Sequence, residues 1–180
     1  MAILDILEAP HPALSQKARD VRPDELGDAL ARFLSDMAET MYAAPGVGLA
    51  APQVGDVRRM IVADPGNGEE DEERRLYLMV NPEIVARSRE MVEGEEQCLS
   101  VPEMTIKVKR HASITMRWID PRGQPFEQVF QDWAATVLQH ELDHLDGTTL
   151  YDRASILKRS RYMRGRKRSA RETAQALRTS

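Results

Sequence analysis

Cysteine is almost missing from this chain: Cys98 is the only one in 180 residues. An internal disulfide is therefore excluded, and no oxidising compartment is needed. No apolar run approaches the roughly 20 residues that span a bilayer, which excludes a membrane-spanning helix. Lys and Arg are absent from Met1-Ala2-Ile3-Leu4-Asp5-Ile6-Leu7-Glu8, where a secretory or transit peptide would carry them. With no targeting signal in view, the cytoplasm is the expected location. Internal repeats and low-complexity linkers are missing too. The glycines of Pro45–Gly55 are followed by no Lys-Ser/Thr, so a phosphate loop is excluded.

What is present is enough apolar residue, 42% of the chain, for one ordinary core. Charge is divided unevenly. Residues 1–152 carry 15 basic and 28 acidic side chains, and residues 153–180 carry 10 basic and one acidic. Such asymmetry predicts a body, 1–152, with a basic helical tail, 153–180, of the same domain, the tail facing a polyanionic partner.

Helical spacing of Leu26, Leu30, Phe33, Leu34, Met37 and Met41 predicts an amphipathic helix over 23–44. Strands are expected at 59–64, 76–81, 84–91, 105–108, 113–119 and 126–130. A solvated acidic hairpin loop is expected at 69–73, an irregular segment at 93–102, and a tight turn at Asp120-Pro121-Arg122-Gly123. A second helix is expected over 132–145, with Gly147 just past its end, and a looser helix over 154–178. The fold class is α+β, short antiparallel sheets around the second helix.

That helix carries Gln139-His140-Glu141-Leu142-Asp143-His144, which sets two imidazoles four residues apart on one face with a carboxylate beside the first. A catalytic metal usually takes three protein ligands and a water. The metzincin pattern would place its third histidine where Leu150 stands, and a thermolysin-type Glu is found only at Glu172 in the basic tail. Upstream, Cys98 and His111 remain, of which a thiolate is the stronger donor.

Gly46-Val47-Gly48-Leu49-Ala50-Ala51-Pro52-Gln53, Glu96-Gln97-Cys98-Leu99-Ser100 and the histidine motif together resemble the three ordered motifs of the peptide deformylase family, a likeness that extends over residues 3–165. The resemblance implies a metal on Cys98, His140 and His144, with Fe²⁺ as the native ion and Zn²⁺ or Ni²⁺ as substitutes in purified protein. It implies hydrolysis of the formyl group of N-formyl-methionine on nascent peptides by a metal-bound hydroxide, with Glu141 as general base and acid. The Gln53 amide and Leu99 N–H would face the oxyanion, and Val47 and Gly48 would pair with the peptide. The basic tail would dock on the ribosome.

Three residues depart from the family pattern. Gln97 stands where the family has glycine, Trp133 where it has a smaller pocket-lining aliphatic, and Thr105 where an Arg is common, while Arg110 is matched. Gln97 and Trp133 would touch substrate, although Trp133 has an alternative place in the core. They motivate a second reading, a deformylase-like paralogue with altered substrate or a binding role. An unrelated zinc endopeptidase is the third.

Overall fold

The computed structural model describes residues 2–66 and 75–176, with side chains as far as residue 168. The expected acidic loop lies outside the described residues. Seven strands and four α-helices are found among the described ones: α1 Asp28–Ala43, β1 Gly48–Ala50, β2 Met60–Ala63, β3 Tyr77–Arg87, β4 Met91–Cys98, β5 Val101–His111, β6 Ser113–Ile119, β7 Pro125–Gln131, α2 Asp132–Leu145, α3 Leu150–Arg153 and α4 Ile156–Ala176. Strands β1-β2-β3-β6-β7 form one sheet in that order, β4-β5 a second, and all pairings are antiparallel.

Period-two alternation sends successive β2 side chains to opposite faces of the larger sheet. Ile61 and Ala63 pack with Leu138, Leu142 and Leu145 of α2. Met60 and Val62 pack with Leu30, Leu34, Met37 and Met41 of α1. The sheet is thus enclosed by the two helices. A third cluster joins Cys98, Val101 and Ile106 of the small sheet to Leu150, Ala154 and Tyr162.

The first helix starts later than its periodicity predicts. A 3-10 turn at Pro23–Glu25 precedes it, and Gly27 at φ +125° breaks the path before Asp28. The two strands expected at 76–81 and 84–91 are instead one strand, β3, that absorbs register shifts between Val80 and Ala86, after which β4 begins at Met91.

The irregular segment expected at 93–102 is mostly regular strand. Its Glu- and Gly-rich composition disguises it, yet Glu93 faces Lys109 and Glu95 faces Lys107 across the β4–β5 ladder. Opposite charges in such cross-strand pairs stabilise a solvated sheet face. The turn at 120–123 and α2 have the expected bounds, and Gly147 at φ +74° follows the helix as its C′ residue. The helix expected over 154–178 is α4, Ile156–Ala176, preceded by the short α3 at the end of the body. Lys158 donates to the Thr105 carbonyl at 3.0 Å, Arg166 pairs with Glu8, and Tyr162 is buried.

Candidate metal centre

Two structural elements converge here. Helix α2 presents His140 and His144 one turn apart, their ring centroids 5.1 Å from each other. The last residue of β4 brings Cys98, whose Sγ lies 3.2 Å from His144 Nε2. The ligand atoms of Cys98, His140 and His144 all lie within 4.8 Å of one another. Donors about 2.0–2.3 Å from a shared tetrahedral ion stand on the order of 3–4 Å apart, so the trio fits a divalent metal. His111, the other upstream donor, is elsewhere, its Nδ1 against the Ser88 carbonyl at 2.8 Å. Leu150, where a metzincin would have histidine, is core beside Cys98.

His140 Nδ1 meets Glu96 Oε2 at 2.8 Å, which turns Nε2 toward the cluster. Glu96 in turn accepts from Arg110 Nε at 2.8 Å and Nη2 at 2.9 Å, a buried bidentate pair. Arg110 Nη1 donates to Asp143 Oδ2 at 2.7 Å. Burial alone would raise the Glu96 carboxyl, but the Arg110 and His140 hydrogen bonds outweigh it and bring it down to about 2. His140 is pushed up to about 10, since burial opposes the imidazolium less than the bonds to Cys98 and Glu96 favour it. Metal at Nε2 competes with that proton. His144 is held well below its ordinary value by burial and by the charges of His140 and Arg110, so it is a neutral donor.

Glu141 lies on the cleft side of α2, 4% exposed. Its Oε2 is a buried polar atom without a hydrogen-bond partner, as is His144 Nδ1. Burial is the main reason that its carboxyl is pushed up to about 7. Gly48 of β1 makes room for it, because a Cβ there would stand 2.4 Å from Glu141 Oε1. The 3-10 turn after β1 holds Gln53 by accepting the Ala50 N–H on Oε1 at 2.8 Å. Its amide nitrogen then points inward, 3.1 Å from Ser100 Oγ and 3.8 Å from Cys98 Sγ.

A cleft of about 710 Å³ opens over these groups. Val47, Gly48, Gln53, Gln97, Cys98, Leu99, Trp133, His140 and Glu141 all line it, and His144 lies beneath. Trp133 is 42% exposed on the cleft, so the alternative that buries it in the core is overturned. It lies in the first turn of α2, whose Ala134 and Ala135 pack against the core while Trp133 faces the cleft. Gln97 is exposed and donates to Thr105 Oγ1 at 3.2 Å, on the strand face opposite Glu96 and Cys98. Sequence reasoning missed Glu96, Asp143 and Ser100 as supports. The available signal was Glu96 inside the Cys98 motif and an Asp between the two histidines.

The chain matches the family model for polypeptide deformylase over residues 3–160. It is 47% identical over 161 residues to a peptide deformylase of Nitrosococcus oceani, covering 89% of this chain and 92% of that one. A peptide deformylase of Phenylobacterium zucineum is 42% identical over 170 residues, 94% of this chain and 98% of the relative. Among solved structures, the peptide deformylase of Ehrlichia chaffeensis in complex with actinonin superposes with a TM-score of 0.85 at 34% identity, covering 94% of this chain and 98% of that one. The Met-Ala-Ser-bound class I type b peptide deformylase of Acinetobacter baumannii superposes at 0.78 with 36% identity, covering 85% and 99%.

Proposed function

The chain belongs to the polypeptide deformylase family, and from that premise we propose that it hydrolyses the formyl group from N-formyl-methionine at the start of nascent peptides. It is a metal-dependent hydrolase of a linear amide. The observation that carries the reading is the buried, unpartnered carboxylate of Glu141 beside the Cys98–His140–His144 cluster and at the floor of an open cleft.

Cys98, His140 and His144 would hold one divalent ion; their thiolate and imidazoles accept Fe²⁺, Zn²⁺ or Ni²⁺ alike, and the family resemblance implies Fe²⁺ as the native one, with the others as replacements in purified protein. When bound, the ion supplies Lewis-acid polarisation of the formyl carbonyl and lowers the pKa of a water toward ~7. Glu141 accepts the proton of the attacking water and returns it to the departing amine. A carboxyl near 7 suits both halves of that task. The Gln53 amide and the Leu99 backbone N–H donate to the developing oxyanion. Val47 and Gly48 pair through their backbones with the extended peptide, while Gln97 and Trp133 border its side chains. The C–N bond breaks, leaving formate and a free methionyl amine.

Formate release from a formyl-Met-Ala peptide by iron-loaded protein, kept anaerobic, is the direct test. No release overturns the reading. The paralogue reading is not favoured, since the relatives matched over about nine-tenths of the chain are peptide deformylases. No helix among the described residues is long and apolar enough to cross a membrane. The cytoplasm, where nascent formylated chains emerge, is the proposed location. The basic tail would bind ribosomal RNA by neutralising phosphates. Deleting 160–180 should weaken ribosome co-sedimentation in a salt-dependent way, and unchanged binding counts against it.

A further inference from the structure

We infer that Arg153 is a positioning residue for the metal-binding histidine His140, acting through Asp143, Arg110 and Glu96. The inference rests on the metal-site reading above and extends it to a residue outside the cleft.

The polar groups behind the site form a closed ring. His140 Nδ1 meets Glu96 on β4, Glu96 takes both forks of Arg110 on β5, and Arg110 Nη1 reaches Asp143. Asp143 lies three residues after His140 on α2, so the ring leaves that helix and returns to it within one turn. Glu96 is also two residues before Cys98. Fixing Glu96 against His140 therefore fixes the strand that bears the sulfur against the helix that bears the imidazoles. Helix and strand belong to separate layers, since β4 pairs only with β5 in its sheet.

Asp143 is the most solvent-exposed member of the ring, its side chain 22% exposed against 6% for Arg110 and 5% for Glu96. A carboxylate at the rim loses little by turning to water, and doing so would leave a buried Arg110 donor unpaired. Arg153 opposes that motion. Its Nη2 donates to Asp143 Oδ1 at 2.8 Å and to Oδ2 at 2.7 Å, and its Nε to Oδ2 at 3.1 Å. The planar fork fixes the carboxylate's orientation as well as its position. Arg153 ends the short α3, whose start is capped by Asp152 accepting from the Thr149 N–H and hydroxyl, both at 2.8 Å.

The test uses the full-length protein loaded with Co²⁺. Transfer of Co²⁺ to a chromophoric chelator and the thiolate-to-cobalt absorption band are measured for wild type, Arg153→Ala, Arg153→Lys and Asp143→Asn. Removing a group that orients a metal ligand typically weakens metal binding ~10–100-fold, and Arg153 stands further out, so its loss should speed release at least about fivefold. The band should shift with it. Arg153→Lys keeps charge without the fork and should fall between, and Asp143→Asn should release fastest. A residue that merely anchors α3 would lower the melting temperature and leave release and band unchanged, and that outcome overturns the inference. If Arg153→Ala does not fold, Arg153→Lys and Asp143→Asn carry the same decision. Formate release by the wild type is scored separately, so failure of the proposed reaction is distinguishable from failure of this positioning role. A wild type that binds no Co²⁺ through Cys98 overturns the inference together with the metal site.

Discussion

Behind the metal ligands, Glu96, Arg110 and Asp143 are joined by charge-assisted hydrogen bonds of 2.7–2.9 Å, with Glu96 and Arg110 shut off from solvent and Asp143 at the rim. On the cleft side, Gln97, which alternates with Glu96 and Cys98 along β4, and Trp133 of α2 meet water, and the side-chain bond from Gln97 to Thr105 is exposed and 3.2 Å long. Low local dielectric makes the first wall rigid and its errors expensive, whereas the second is soft and tolerant of substitution. The rigid side orients a proposed metal ligand, and the soft one carries Gln97 and Trp133, the two residues proposed to border the substrate.

The comparison is tested hardest by Glu141→Gln, which removes the proton carrier and keeps its volume. Turnover should fall about 10²–10⁴-fold with metal content unchanged, and KM should scarcely move. Arg110→Met should come next. It leaves Glu96 buried and uncompensated, at a loss of about 3–5 kcal/mol in denaturant unfolding. A loss under ~1 kcal/mol would mean that the wall is not rigid after all. Gln97→Gly should alter kcat/KM by less than about tenfold, equivalent to 1.4 kcal/mol, chiefly through KM. A gain much beyond that would place Gln97 on the rigid side of the comparison.

The smallest effect belongs to a control far from both walls. Glu25, bonded first to Arg19 and then to the Arg22 N–H, is held down to about 2 from an ordinary 4.5. A depressed carboxyl stabilises above its unfolded value, and that contribution is lost as the pH falls from 4.5 toward 2. Glu25→Gln should therefore match wild type near pH 2, diverge as the pH rises toward 4.5 and differ fully above it, and only slightly, because the pair is partly open to solvent and screened. Acid unfolding that tracked Glu25 closely would show that surface pairs matter here as much as buried ones.

Sequence made α2 legible because its signals are local. Spacings of three and four, His140 and His144 on one face, and Gly147 past the end are all contained within 16 residues. Cys98 was reachable as one of two remaining upstream donors, and the likeness of three separated motifs chose it over His111, since a lone thiol has no spacing of its own. What stayed hidden is long-range: Glu96 and His140 are 44 residues apart and Arg110 and Asp143 are 33 apart. The same holds for β4. Its strand character depends on lysines in β5 that no window over 93–102 contains. Trp133 was undecided for a related reason: its neighbours Ala134 and Ala135 pack on the core while Trp133 opens on the cleft, a division set by elements distant in sequence.

Cys98 is the only sulfhydryl in the chain, and it is both a proposed metal donor and free of any disulfide. A thiol-reactive dye therefore counts vacant centres one for one, with no background from other cysteines. The same solitude removes a safeguard. A sulfenic acid formed at Cys98 has no second cysteine within the chain to capture it as a disulfide, so oxidation can run on to forms that mild reductants do not reverse. Air exposure should then be recorded as a permanent fall in the dye count, and an ion seated on the sulfur should slow that fall.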